Sequence, residues 1–169
     1  LDYKISPNFG LDVPMEQISK GNGGSCVLSA YSSSVINLSN HLTTSLGITA
    51  QYFTLNKNWT VEPRAALKWS FNPKHALALA YGLHSRREKL DYYFVEQEAN
   101  GKTESNRYLD FSKAHHFGLT YDWNINSYMH LKVEPYYQYL FRIPVEENSS
   151  FSIINHQSFY LDRILKNRG

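Results

Sequence analysis

The residues best suited to binding a small molecule lie in a long polar segment between Arg86 and Lys113. Tyr92, Tyr93 and Phe94 stand near its start and are followed by a run of amide and charged side chains. Aromatic rings beside such polar groups suit the capture of a sugar or a metal chelate, and loops often carry binding residues. We predict that these three aromatic residues contribute to a ligand site. The alternative is an outward loop whose aromatic rings only pack on the rim of a β-barrel.

His84 and Arg86 form a second candidate set at the start of this segment. Residues two positions apart on a strand share one face, so both side chains are expected to point toward the same space. There they either contact an anionic solute or remain hydrated. His115 and His116 are adjacent and point to opposite faces of a strand, which leaves them unable to share one ion. We expect no metal site and no cofactor.

The sequence contains no GxSxG, HExxH, P-loop or dinucleotide-binding fingerprint. Barrel enzymes place acidic residues, histidine or serine at a rim, and Asp91, Asp110 and His84 are the residues available for such an arrangement. Their spacing gives no support for catalysis. We therefore predict no catalytic residue and no enzymatic activity.

The tripeptide Val-Glu-Pro occurs twice, at residues 61–63 and 133–135. Proline supplies no amide hydrogen, so within a strand it normally marks an edge or a bulge. Each glutamate lies two residues from a cation, which predicts two same-face ion pairs, Glu62–Arg64 and Lys132–Glu134. We interpret both as solvated surface pairs. The alternative is a pair of carboxylates that act as acid and base.

Alternation of apolar and polar residues, typical of strands with two different faces, dominates the chain after Gly24. It predicts an all-β fold of about seven to eight antiparallel, up-and-down strands. We divide the chain into an irregular lead-in, 1–24, with one short strand at Tyr3–Ser6, and a β-segment, 25–169. The five clearest strands are expected at His41–Phe53, Thr60–Phe71, His75–Ser85, Ala114–Trp123 and Met129–Phe141, with weaker ones at Ser25–Leu38 and Ser149–Leu161.

Strand length and aromatic content favour a membrane. Strands of about ten residues cross a bilayer when tilted, and short turns alternate here with longer loops. The 13 Tyr, 9 Phe and 3 Trp residues gather near strand ends, as in the aromatic girdles of membrane barrels. We predict a segment of a transmembrane β-barrel, curled or open in isolation, with Leu46, Ile48, Leu67 and Leu79 facing lipid. The alternative is a soluble β-sandwich that binds carbohydrate.

Charge and cysteine content narrow the range of partners. The formal net charge is +2 without a long basic run, so we expect no nucleic-acid partner. The single cysteine, Cys26, cannot form an internal disulfide. The chain begins at Leu1 without a visible signal peptide, and we expect it to be a piece of a longer mature protein.

Four stretches, residues 59–68, 73–85, 113–123 and 134–140, resemble the barrel of TonB-dependent receptors of the Bacteroidetes type. The resemblance covers roughly residues 35–155 and is weak before Gly24. It implies part of the C-terminal barrel of a bacterial outer-membrane receptor that imports metal chelates, vitamins or glycans. The implied partners are the lipid bilayer, the rest of the barrel and its plug domain, a small solute, and the TonB complex through an N-terminal part that this sequence does not contain.

Overall fold

The computed structural model describes residues 2–5, 16–20, 25–99, 102–146, 152 and 164–168. The longest connection between strands contains a helical turn, α1 (Leu90–Tyr93), and a 3₁₀ turn (Asn106–Tyr108). The strands in chain order are β1 (Asp2–Ile5), β2 (Glu16–Lys20), β3 (Val27–Ser39), β4 (Leu42–Phe53), β5 (Asn58–Asn72), β6 (His75–Arg86), β7 (Glu96–Ala99), β8 (Lys102–Ser105), β9 (Ser112–Asn126), β10 (Met129–Val133), β11 (Tyr136–Phe141), β12 (Ile143–Glu146) and β13 (Leu165–Arg168).

Seven strands form one antiparallel sheet in the order β3–β4–β5–β6–β9, with β10 and β11 following one another along the far side of β9. Apart from the inserted β7–β8 hairpin, each strand from β3 to β9 pairs with the next one along the chain, and β11 pairs with β9 and not with β10. The predicted all-β, antiparallel, up-and-down fold is confirmed, and the described sheet is open, with edges at β3 and at β10 and β11. Three separate two-stranded sheets are formed by β1–β2, β7–β8 and β12–β13.

Three two-residue turns join strands at one end of the sheet, and each contains the same kind of local hydrogen bond. The side-chain oxygen of the residue before the turn accepts a hydrogen bond from the amide two residues later, which fixes the reversal without tertiary help. The Ser39 hydroxyl accepts from the His41 amide at 3.2 Å. The side-chain oxygens of Asn72 and Asn126 accept from the amides of Lys74 and Tyr128, both at 2.9 Å.

The Val-Glu-Pro repeat marks two places where strand pairing stops. Pairing of β5 with β6 begins at Arg64, immediately after Pro63. Pro135 separates β10 from β11, although both strands keep one register against β9 from His130 onward. Because proline has no amide hydrogen to donate, each interruption follows from the sequence. The predicted strand Met129–Phe141 is therefore two strands.

Most of the described buried apolar side chains form a small cluster at the end of the sheet opposite the two-residue turns. Its members are Phe53, Tyr92, Tyr93, Leu109, Phe111 and Leu165. Leu165 comes from β13, which sequence alternation did not predict, while the predicted strand Ser149–Leu161 lies outside the described residues except for Ser152, which bridges to Val145. In the lead-in, β1 lies one residue before the predicted Tyr3–Ser6 and pairs with β2, which we did not predict.

Candidate functional site

One face of the sheet is polar, and small residues such as Gly47, Ala80 and Gly82 line its middle. A single row across five strands contains Gly47, Arg64, Gly82, His116 and Gln138. The small side chains leave a groove of about 440 Å³ over the middle of this face. A Cβ atom at Gly82 would lie 2.8 Å from Nε2 of His84, so the glycine makes room for that imidazole ring.

Glu62 organises the polar face where the β5–β6 ladder has stopped. Its carboxylate accepts hydrogen bonds from the Gln51 side chain at 2.8 Å, the Ser85 amide at 2.9 Å and the Arg64 guanidinium at 3.1 Å. The residue is only 2% exposed. Our interpretation of Glu62–Arg64 as a solvated pair was wrong, because the carboxylate replaces a missing backbone acceptor inside the sheet. Lys132–Glu134 is exposed as predicted, with its charged atoms 2.8 Å apart.

The two glutamates of the repeat do not act together. Glu62 accepts a hydrogen bond from Ser85, whose partner on β9 is Lys113, whereas Glu134 bonds to Thr120, seven residues further along β9. At about 3.3 Å per residue this separates them by roughly 20 Å. An acid–base pair built from these two carboxylates is therefore ruled out by the strand register.

His84 and His116 meet on the polar face, with ring centroids 4.4 Å apart. His116 is held at both nitrogens, by the Tyr136 hydroxyl at 2.8 Å and the Gln138 amide at 3.3 Å. His115, in contrast, stacks on Phe141 at 4.8 Å on the other face. The adjacent histidines point apart as predicted. In the part of the chain that is described, no three His, Cys, Asp or Glu side chains converge as metal ligands.

A cavity of about 540 Å³, which we call the loop-end cavity, lies between the polar face and the connection after β6. Its lining includes His84, Arg86, Glu88, Lys89, Tyr92 and His116. His84 and His116 also line the groove, so the two spaces adjoin at the histidine pair. The size of the cavity suits a small solute.

Three of the five predicted site residues, His84, Arg86 and Tyr92, thus line one cavity. Tyr93 is 1% exposed and meets the ring of Phe53 edge-on at 5.2 Å, while its hydroxyl accepts a bond from the Glu88 amide at 3.3 Å. Burial raises the pKa of Tyr93 to about 12. Tyr93 therefore packs in the buried cluster and does not bind a ligand, because solutes cannot reach its side chain. Phe94 is half-buried at the end of α1 and does not line the cavity.

Sequence reasoning missed Glu88, which is 5% exposed and accepts a hydrogen bond from the Ser112 hydroxyl at 2.6 Å. Burial and the neighbouring Glu88 raise the pKa of Tyr92. Glu88 stands in the charged run Arg86–Lys89, and nothing in such a run marks one member as buried. The register of β6 against β9 is what places Glu88 beside Ser112, because Arg86, two residues earlier, pairs with Ser112. That register is known only from the structure.

The opposite face of the sheet is apolar and exposed. Leu46, Ile48, Leu67 and Leu79 are each between 41% and 58% exposed. Two aromatic groups flank this aliphatic region. Trp69, Phe71, His75, Tyr121 and Trp123 cluster near the two-residue turns, and Tyr81, His115, Phe117, Tyr137, Tyr139 and Phe141 cluster toward the other end.

Comparison of the chain with protein-family models, with curated proteins and with solved structures gave no match. Among the residues placed by the structure, no helix is long and apolar enough to span a membrane.

Proposed function

We propose that this chain is a section of the wall of a bacterial outer-membrane barrel, of the TonB-dependent receptor type, that takes up scarce or bulky solutes. The observation that carries the proposal is a single-layer sheet whose main strands have 12 to 15 residues and whose apolar face is exposed. Soluble domains bury such a face against a second layer. Lipid is the covering that matches an aliphatic band between two aromatic groups.

The polar face supports the solute-uptake part of the proposal. It carries a groove and the loop-end cavity, which adjoin at His84 and His116. In a barrel wall the face opposite the lipid lines the interior, where solutes pass. The sequence resembles receptors that import metal chelates, vitamins or glycans, and this resemblance agrees with the arrangement.

The soluble carbohydrate-binding sandwich is less well supported. A sandwich needs a second sheet about 10 Å from the first. Within the described ranges, each of the three smaller sheets has two strands of four or five residues, and the apolar face of the large sheet remains exposed.

Flotation with lipid vesicles tests the proposal. The purified chain is folded in the presence of phosphatidylcholine vesicles and centrifuged through a density gradient. We expect it to float with the lipid and to retain a β-type circular dichroism spectrum after a high-salt wash, because the attachment is apolar. A monodisperse monomer that remains in detergent-free buffer and does not float would contradict the proposal.

A further inference from the structure

We propose that the loop-end cavity recognises solutes through an acidic group, a carboxylate or a phosphate, with Arg86 as the principal contact. The biological role of such binding rests on the proposed function, whereas the binding itself does not. The inference names a substrate class for the cavity and a specificity role for Glu88.

The charges around the cavity are unbalanced. Arg86 and Lys89 contribute two positive charges to its lining, and Glu88 contributes one negative charge. Lys113 also lines the cavity, but alternation along β9 places its side chain on the apolar face with His115. The four ion pairs found among the described residues use Arg64, His130, Lys132 and Arg142 as their cations. The cations of the cavity therefore form no ion pair with a carboxylate of the described residues, and their excess over Glu88 favours an anionic guest.

Arg86 is placed for this role by the alternation of β6. It follows Gly82 and His84 on the polar face and pairs with Ser112, another residue of the lining. The next arginine, Arg87, is already engaged, because its guanidinium lies 5.8 Å from the centre of the Phe53 ring. A guanidinium donates paired hydrogen bonds in a fork that matches carboxylate and phosphate oxygens.

Glu88 sets the selectivity of the cavity. Ser112 satisfies one oxygen of its buried carboxylate, so the remaining negative charge opposes an acidic guest at the same place. Replacement of Glu88 by glutamine keeps an oxygen for the Ser112 hydroxyl and removes the charge. Affinity for an acidic solute should then rise, whereas a guest held through its own hydroxyl or ammonium donors would bind more weakly.

Isothermal titration calorimetry on the full chain in detergent micelles tests the inference, with glucuronate, inorganic phosphate and neutral glucose as probes. We expect glucuronate, phosphate or both to bind and glucose not to bind, with affinity decreasing as salt is added. Glucuronate alone would identify the acidic group as a carboxylate, and phosphate alone as a phosphate; either result supports the inference. Failure of both anions to bind, or equal binding of glucose, would overturn it.

Calorimetry on three single variants tests the roles of Arg86 and Glu88 in anion binding. Arg86→Gln should weaken anion binding about tenfold, since it removes a charge-assisted hydrogen bond. Arg107→Gln removes the same charge from an exposed position that does not line the cavity and should leave the affinity unchanged. An unchanged affinity in Arg86→Gln, or weaker binding in Glu88→Gln, would overturn the inference. If vesicle flotation persists while anion binding fails, only this inference falls and the proposed function stands.

Discussion

At the scale of single residues, identical tripeptides have different roles because their strands have different neighbours. Glu62 lies on an inner strand and accepts the Ser85 amide where the β5–β6 pairing has stopped, with three donors around its carboxylate. Glu134 lies between β10 and β11 at the edge of the sheet, where its side chain is 55% exposed. Sequence predicted both ion pairs correctly, and only the strand order distinguishes the buried glutamate from the exposed one.

This difference predicts unequal effects on stability. Glu62→Ala should lower the free energy of unfolding by about 3 kcal/mol, because it leaves a buried amide and a guanidinium without an acceptor. Glu134→Ala, in the same sequence context, should have little effect, since exposed ion pairs contribute little. Urea titrations followed by tryptophan fluorescence in micelles measure both. Equal losses in the two variants would contradict the assigned role of Glu62.

The burial of Tyr93 predicts that the free energy of unfolding depends on pH. Burial raises its pKa to about 12 in the folded chain, while an unfolded tyrosine ionises near pH 10. The unfolded state therefore releases its proton first, so the stability contributed by Tyr93 is fully present below pH 10 and decreases between pH 10 and about pH 12.

Absorbance at 295 nm, which reports tyrosinate, measures this behaviour. We expect a late ionisation near pH 12 in the wild-type chain and its disappearance in Tyr93→Phe. The raised pKa of Tyr92 gives a separate transition that this substitution does not remove. Tyr108→Phe, which changes an exposed tyrosine of the same connection, should leave the late signal in place. Persistence of the late signal in Tyr93→Phe would contradict the burial assigned to this residue.

At the scale of elements, local patterns predict the long strands and the turns, whereas contacts distant in sequence determine the rest. Alternation located β4, β5, β6 and β9 to within three residues, because each has one apolar and one polar face. It could not predict β13, whose four residues are positioned by tertiary contacts. The Asn167 side chain accepts a bond from the Asp110 amide at 2.7 Å and donates to the carbonyl oxygen of Arg142, also at 2.7 Å.

These bonds predict that Asn167 secures the long connection after β6. Asn167→Ala should increase hydrogen exchange in residues 87–111 and β12 by about tenfold, since it removes hydrogen bonds that hold β13 in place. Exchange within β4 and β5 should not change. Arg168→Ala is the matched control, because this neighbouring side chain is exposed. A uniform increase across the large sheet would contradict a local role for Asn167.

At the scale of the whole molecule, no second layer of the described residues covers the apolar face of the large sheet. The buried cluster lies at one end, beside the long connection, while large apolar side chains remain exposed along the strands. Sequence alternation predicted which residues share each face, because a period of two fixes the faces once the register is set. It could not predict the loop-end cavity, which forms from residues of β6, α1 and β9 that only the fold brings together.

Lipid contact at the apolar face is the central claim, and site-directed fluorescence quenching measures it most directly. Single cysteines at Leu46, Ile48, Leu67 and Leu79, and at Thr49 on the polar face, are labelled with bimane in a Cys26→Ser background and placed in bilayers with brominated acyl chains. We predict strong quenching at the four apolar positions and weak quenching at Thr49. Equal quenching on both faces, or none at the four positions, would contradict the account.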